Sequence, residues 1–388
     1  MSRKRILTSI VAAQFACTSL WFVGNAILSD ILLRFGLSPG VLGHLTSAVQ
    51  FGFITGTLVF ALVSIADRYS PSKVFFACAL AGALSNLGIL LADNFQALMF
   101  LRILTGFCLA GIYPVGMKIA SDHHDKGLGK ALGYLVGALV VGTAFPHLLK
   151  GMAGLFNWKY VVVFTSMLAA AGGVFLFLFV PDGPHRTSGS KIDLTAMLRI
   201  FKKPDFRSAA FGYFGHMWEL YTFWAFIPVI LGMYPESHSE VNSISLNVPL
   251  TSFLLIATGF PACVAGGYLA ERIGSGRTAQ AALLLSLLCC LLSPVLFQLP
   301  LMLFLGALGF WSMAVVADSP QFSTLVAHHA PAEFKGTALT MVNCLGFSIT
   351  IVSLQVINLL RPMVDPHYLY LFLAPGPFLG LLAMRKRP

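Results

Sequence analysis

Gly267-Tyr268-Leu269-Ala270-Glu271-Arg272-Ile273-Gly274-Ser275-Gly276-Arg277 is a short polar break between two long apolar runs, and Ser64-Ile65-Ala66-Asp67-Arg68-Tyr69-Ser70 is another. Each sets an acidic residue beside an arginine at the end of an apolar segment, and the two acidic positions are 204 residues apart. A second match follows in the same order. Pro114, His123-His124, Gly129, Ala131 and Leu132 correspond to Pro320, His328-His329, Gly336, Ala338 and Leu339, at offsets of 205 to 207. Chance supplies one such pairing readily. Two in order, at nearly constant offset, indicate a chain built from two related halves.

Composition says what those halves are made of. Of 388 residues, 57% belong to the AVILMFWYC set and only 10% are charged, with a mean hydropathy of +0.81. Soluble domains carry about 25% charged residues. The balance excludes an ordinary soluble enzyme, a disordered chain and a disulfide scaffold. Apolar segments run over approximately 6–29, 41–66, 73–92, 95–119, 128–150 and 158–180, then 207–233, 243–270, 276–298, 300–326, 335–360 and 367–384. Each suits a bilayer-crossing helix of roughly 20 residues, and backbone facing lipid must satisfy its own hydrogen bonds, which selects helices. Cys17, Cys78, Cys108, Cys263, Cys289, Cys290 and Cys344 all lie inside apolar runs without CxxC spacing. They read as small apolar filler, with no disulfide or metal framework.

The formal charge of +10 raises the question of a nucleic-acid partner. Its distribution argues against one, because the basic residues fall in short gaps and not on a contiguous stripe. With the N-terminus cytoplasmic, 20 Lys and Arg lie on that side. Arg34, Lys150, Lys159 and Arg361 lie opposite, and Arg102 lies within a span. The positive-inside rule then puts both termini in the cytoplasm and requires an even number of spans. Arg3, Lys4 and Arg5 precede a run too long for a signal peptide, so the first helix is expected to be retained. The expected division is an N-terminal bundle over 1–182, a linker over 183–206 and a C-terminal bundle over 207–388. Within the linker, Leu194 to Phe206 suits a short amphipathic helix whose Arg199, Lys202 and Lys203 meet anionic headgroups.

On these residues the chain resembles the major facilitator superfamily (MFS) over essentially its whole length. That family's signature between spans two and three is G-x-x-x-D-R-x-G-x-[RK]-[RK]. Gly267, Glu271, Arg272, Gly274 and Arg277 follow it. The first copy keeps Asp67, Arg68 and Lys73 but has Val63 and Ser70 at the glycine positions. Arg102-Ile103-Leu104-Thr105-Gly106, with Gly111 beyond, resembles the family's fourth-span signature. Gly133, Gly137, Gly142 and Pro146 form no Gly-Pro pair, so the fifth-span motif of many drug–proton antiporters is absent in strict form. The resemblance implies an all-α membrane protein of twelve transmembrane helices in two pseudo-symmetric six-helix bundles. It also implies that Asp67, Arg68, Glu271, Arg272 and Arg277 act in gating. Physically, a carboxylate at such a turn can cap the next helix and meet an arginine of the other half. The plainer alternative is that these residues anchor loops.

Ionisable groups inside the membrane are expensive and so mark function or a fixed partner. Arg102 suits an anion anchor offering a bidentate fork, or a structural cation bonded to carbonyls of a neighbouring helix. Glu219 is twelve residues past Arg207, about 18 Å along a helix, and near the midplane. His216 lies on the same face, one turn earlier. Asp318 immediately precedes Ser319-Pro320, where a proline would break the helix; it suits proton coupling or a cap on broken backbone. Glu219, Asp318 and His216 are therefore the proton-coupling candidates. Trp21, Asn25, Gln50, Tyr113 and Asn343 join Arg102, His216 and Glu219 as candidate substrate contacts, although each alone also suits interhelical packing. His147 is expected at headgroups or a neighbouring helix. His123-His124 and His328-His329 are expected as solvated loop residues and not metal ligands.

The reading is a proton-coupled secondary transporter, not an enzyme, that moves a small organic solute by alternating access. Arg102 makes that solute anionic or zwitterionic. The alternative is a proton-driven exporter of a drug or siderophore-like amphiphile; a membrane-embedded enzyme and a non-transporting receptor are remoter. No cofactor and no catalytic or metal-binding residue is expected. The partners are the solute, protons and lipids, and the protein is expected to work as a monomer in a bacterial inner membrane.

Overall fold

The computed structural model describes residues 3–123, 128–152, 157–185, 199–237, 246–331 and 334–385. Among these the chain is helical, with no strand. The first half holds α1 (Arg3–Thr18, continued by Val23–Ala26 and Leu28–Phe35), α2 (Val41–Leu62), α3 (Pro71–Leu87), α4 (Phe95–Ala110 and Tyr113–His123), α5 (Leu128–Gly151) and α6 (Trp158–Phe179). The second half holds α7 (Pro204–Ser237), α8 (Val248–Ala257 and Gly259–Ile273) and α9 (Ser275–Leu296). It continues with α10 (Leu301–Ala317 and Ser319–His329), α11 (Lys335–Leu360) and α12 (Pro366–Leu369, Tyr370–Leu373 and Pro375–Met384). All but α1 and α7 are long and apolar enough to cross a membrane. With those two the count is compatible with the twelve expected. Alternating rods bring the start of α1 and the end of α12 to one face, called here the terminal face.

Local chemistry sets the starts. Asn94 accepts from Ala97 N at 2.8 Å and Asn247 from Leu250 N at 3.1 Å, each satisfying a donor the first helical turn leaves free. Ser70 caps α3, whose first residue is Pro71, a position that needs no amide hydrogen. Within the first half α1 packs on α5 and α6, and α3 on α6; within the second, α7 packs on α11 and α12 and α9 on α10. The halves meet along α2 with α11 and α5 with α8. Large apolar side chains such as Leu91, Met302 and Leu379 lie on the outside, as a lipid-facing wall requires.

The first segment differs from its expected 6–29. It reaches Phe35 and breaks at residues 19–22. The proposed surface helix lies partly outside the described residues. Pro204 to Phe206 belong instead to α7. Ile200 is buried and Phe201 meets Phe206 edge-on at 5.3 Å, so this stretch packs inward. Lys202 and Lys203 remain exposed.

Candidate functional site

Arg102 is 1% exposed on α4 and points at the break in α1. Nη2 donates to Leu20 O at 3.1 Å and to Trp21 O at 2.5 Å, and Nη1 donates to Asn86 Oδ1 at 3.2 Å. A broken helix leaves carbonyls without amide partners, and the guanidinium supplies donors to two of them. Both terminal nitrogens are thus engaged, as in the second arrangement expected for Arg102, while its buried Nε has no hydrogen-bond partner. Asn25, just past the break, donates to Thr46 Oγ1 at 2.9 Å. Gln50 is fully buried and its amide has no hydrogen-bond partner.

His216, Glu219 and Asp318 come together inside the second half, each 1% exposed. His216 Nδ1 lies 2.8 Å from Asp318 Oδ1, close enough for an ion pair though off the line that a hydrogen bond prefers. On its other side His216 Nε2 lies 2.7 Å from Ser319 Oγ. Glu219 accepts from Trp311 Nε1 at 2.6 Å, from Cys290 Sγ at 3.3 Å and from Ser286 Oγ. It therefore faces α9 and α10 and not the space between the halves.

That space is a small central cavity of about 20 Å3, room for roughly one water. Tyr113 and Asn343, both expected, line it. Arg102, Asn25, Gln50, His216 and Glu219 do not. Sequence reasoning missed Tyr213, Met217, Tyr221 and Trp224 on α7, together with Ser319 and Phe347. The α7 residues recur every three or four positions, which is one face of a helix, and that spacing was the available signal. Trp21 joins from the first half by stacking on Tyr221 at 5.5 Å and on Phe347 at 5.8 Å, while Phe53 meets Phe347 at 4.5 Å. Trp21 and Phe53 thus back the cavity residues Tyr221 and Phe347 with further rings.

Both ends hold contacts between the halves. At the terminal face Lys130 Nζ pairs with Glu271 Oε2 at 2.7 Å and sits 4.6 Å from the Tyr268 ring centroid. Arg68, Arg272 and Arg277 are exposed there, and the Asp67 side chain lies outside what is described. At the opposite face Asn358 Nδ2 donates to Gly40 O at 2.8 Å and Gln355 Nε2 to Ser47 Oγ at 2.9 Å. Lys130 was not among the expected gating residues, because its partner lies in the other half.

Two histidine expectations are corrected. His123 is buried at the end of α4, with Nδ1 donating to Ile119 O at 2.8 Å, and is not a solvated loop residue. His124 lies outside the described residues. His328 is exposed, whereas half-buried His329 donates to Leu325 O at 2.9 Å. His147 is 2% exposed and its Nε2 has no partner; of the two surroundings expected for it, headgroups or a neighbouring helix, this burial agrees with the second. Among the described residues no group of three His, Cys, Asp or Glu side chains could hold a metal ion.

The profile of the Major Facilitator Superfamily matches residues 10–353. The chain belongs to that superfamily. Among superfamily relatives, the uncharacterized MFS-type transporter YybF of Bacillus subtilis is 20% identical over 186 residues, covering 47% of this chain and 46% of YybF. An uncharacterized transporter of Buchnera aphidicola from Schizaphis graminum is 23% identical over 323 residues, covering 81% of this chain and 76% of its own. The solved structure of the human organic anion transporter MFSD10 superposes with a TM-score of 0.73 at 16% identity, covering 99% of this chain and 100% of that one. At that identity the likeness is one of MFS fold. Superfamily membership and the long apolar helices make this a multi-pass membrane protein.

Proposed function

We propose that this chain is a proton-coupled secondary transporter of a small organic solute, working by alternating access, in which His216 and Asp318 carry the coupling proton with Glu219 beside them. One observation carries the reading. Ser319 lines the central cavity and at the same time meets His216 Nε2 at 2.7 Å, so the proton site and the solute site share a hydroxyl. With Nδ1–H turned to Asp318, neutral His216 accepts the Ser319 proton at Nε2. Protonated His216 donates there instead, which reverses the hydroxyl and changes what the cavity wall offers a solute. That is a differential interaction of the kind that coupling requires. Arg102 belongs to the frame in this reading, and Glu219, with three donors, to the cluster's charge balance.

The location is a bacterial inner membrane with both termini cytoplasmic, supported by the basic bias of the terminal-face loops, and the protein acts as a monomer rather than as an enzyme. Gating falls to the Lys130–Glu271 bridge, with Asp67, Arg68, Arg272 and Arg277 around it. An anionic or zwitterionic solute would draw on Arg102; with its Nη1 and Nη2 both held by protein acceptors, the amphiphile reading is favoured. The test is a thermal-shift screen of purified protein against metabolite, siderophore and drug panels at two pH values, followed by flux of any hit in vesicles. Asp318→Asn and Glu219→Gln should each abolish accumulation driven by a pH gradient while leaving solute exchange partly intact. Accumulation with unaltered pH dependence in both variants removes the cluster from the mechanism.

A further inference from the structure

We infer that the solute of the central cavity is an uncharged, planar aromatic amphiphile carrying a hydrogen-bond acceptor, an inference that rests on the transporter reading above. No residue lining the cavity is charged. Its faces are aromatic, with Tyr113 from the first half and Tyr213, Tyr221, Trp224 and Phe347 from the second. A flat ring can lie between such faces in offset or edge-on contact. Tyr113 stands on one half and the other rings on the other, so under alternating access parting the halves would widen the slot between them.

The polar side of the argument comes from Trp224. It is fully buried, it lines the cavity, and its Nε1–H has no acceptor. A dry, unpaired donor is unfavourable until an acceptor arrives. Asn343 adds an amide on the same wall. An anion would meet no counter-charge. Both terminal nitrogens of Arg102 are held by Leu20, Trp21 and Asn86, and His216 sits between Asp318 and Ser319. A charge entering without a partner is strongly disfavoured. An organic cation would gain from the ring faces but would meet the positive end of the Trp224 N–H.

Three probes of one shape separate these classes: 1-naphthaleneacetamide, 1-naphthaleneacetate and 1-naphthylmethylammonium, each titrated calorimetrically into the full chain in detergent. The amide should bind about tenfold or more tightly than either charged probe. Trp224→Phe, which keeps an aromatic face and removes the donor, should weaken amide binding about three- to tenfold. Asn343→Ala, at a half-buried position, should weaken it similarly and carries the test if Trp224→Phe unfolds. The inference is overturned if either charged probe binds as tightly as the amide, if none of the three binds, or if the folded variants keep full affinity for the amide. Amide binding without flux into vesicles leaves the ligand class standing and defeats the transporter reading. Preferred flux of the carboxylate does the reverse.

Discussion

At Gly274 the backbone takes φ 90° and ψ 148°, a region essentially closed to residues with a side chain. The glycine lets the chain turn from α8 into α9 directly after Glu271-Arg272. Gly274→Ala should lower stability by about 1–3 kcal/mol, read as thermal unfolding in detergent; an unchanged midpoint would show that the turn relaxes freely. The first copy of the motif reaches the same end differently. Its Ser70, at the matching position, has φ −57° and caps α3, so no glycine is required there. The left-handed residue is instead Ser64, at φ 53°. The left-handed turn thus stands at Ser64 in the first copy and at Gly274 in the second.

Among the elements, α2 and α4 show how small residues set helix spacing. A Cβ on Gly52 would stand 1.9 Å from Ile103 O, and one on Gly106 would stand 1.9 Å from Val49 O. The two backbones therefore touch, and the close approach keeps Arg102 on the α1 break. Gly52→Ala should cost about 1–3 kcal/mol through overpacking, whereas Gly306→Ala, with nothing within 4 Å of its Cβ, should cost none. Comparing the two unfolding midpoints separates packing from helix propensity. On α7, Tyr213, Met217, Leu220, Tyr221 and Trp224 share one face, and Glu219 lies about 145° round the helix from its centre at 100° per residue. Periodicity alone could therefore part Glu219 from the cavity residues. It could not say which face met the other half.

For the whole molecule, the proposal of alternating access is tested at the contacts between the halves at either end. On the face away from the termini, a Cβ on Gly43 would stand 3.1 Å from Asn358 Cβ, near the 3.5–4.5 Å that a disulfide spans. Gly43→Cys combined with Asn358→Cys should cross-link the halves on oxidation, arrest solute flux in vesicles and recover on reduction. Full flux in the oxidised, cross-linked protein would refute movement of α2 against α11. At the terminal face Lys130–Glu271 is a partly exposed pair, and solvent screening weakens such pairs. It can bias the closed arrangement without locking it.

Low charge, apolar runs of bilayer length and a repeat at nearly constant offset determined a helical membrane protein with duplicated halves, because those properties depend on residue type and spacing along one chain. They also marked Glu219, Asp318 and His216 as buried ionisable groups. Only the tertiary structure decided where each of them points. Arg102 faces a helix break created by a different segment, Ser319 bridges His216 to the cavity, and Lys130 reaches across to Glu271. A side chain's role inside a bilayer is set by the partner that removes its cost. That partner stands on another helix, at a distance no local pattern encodes.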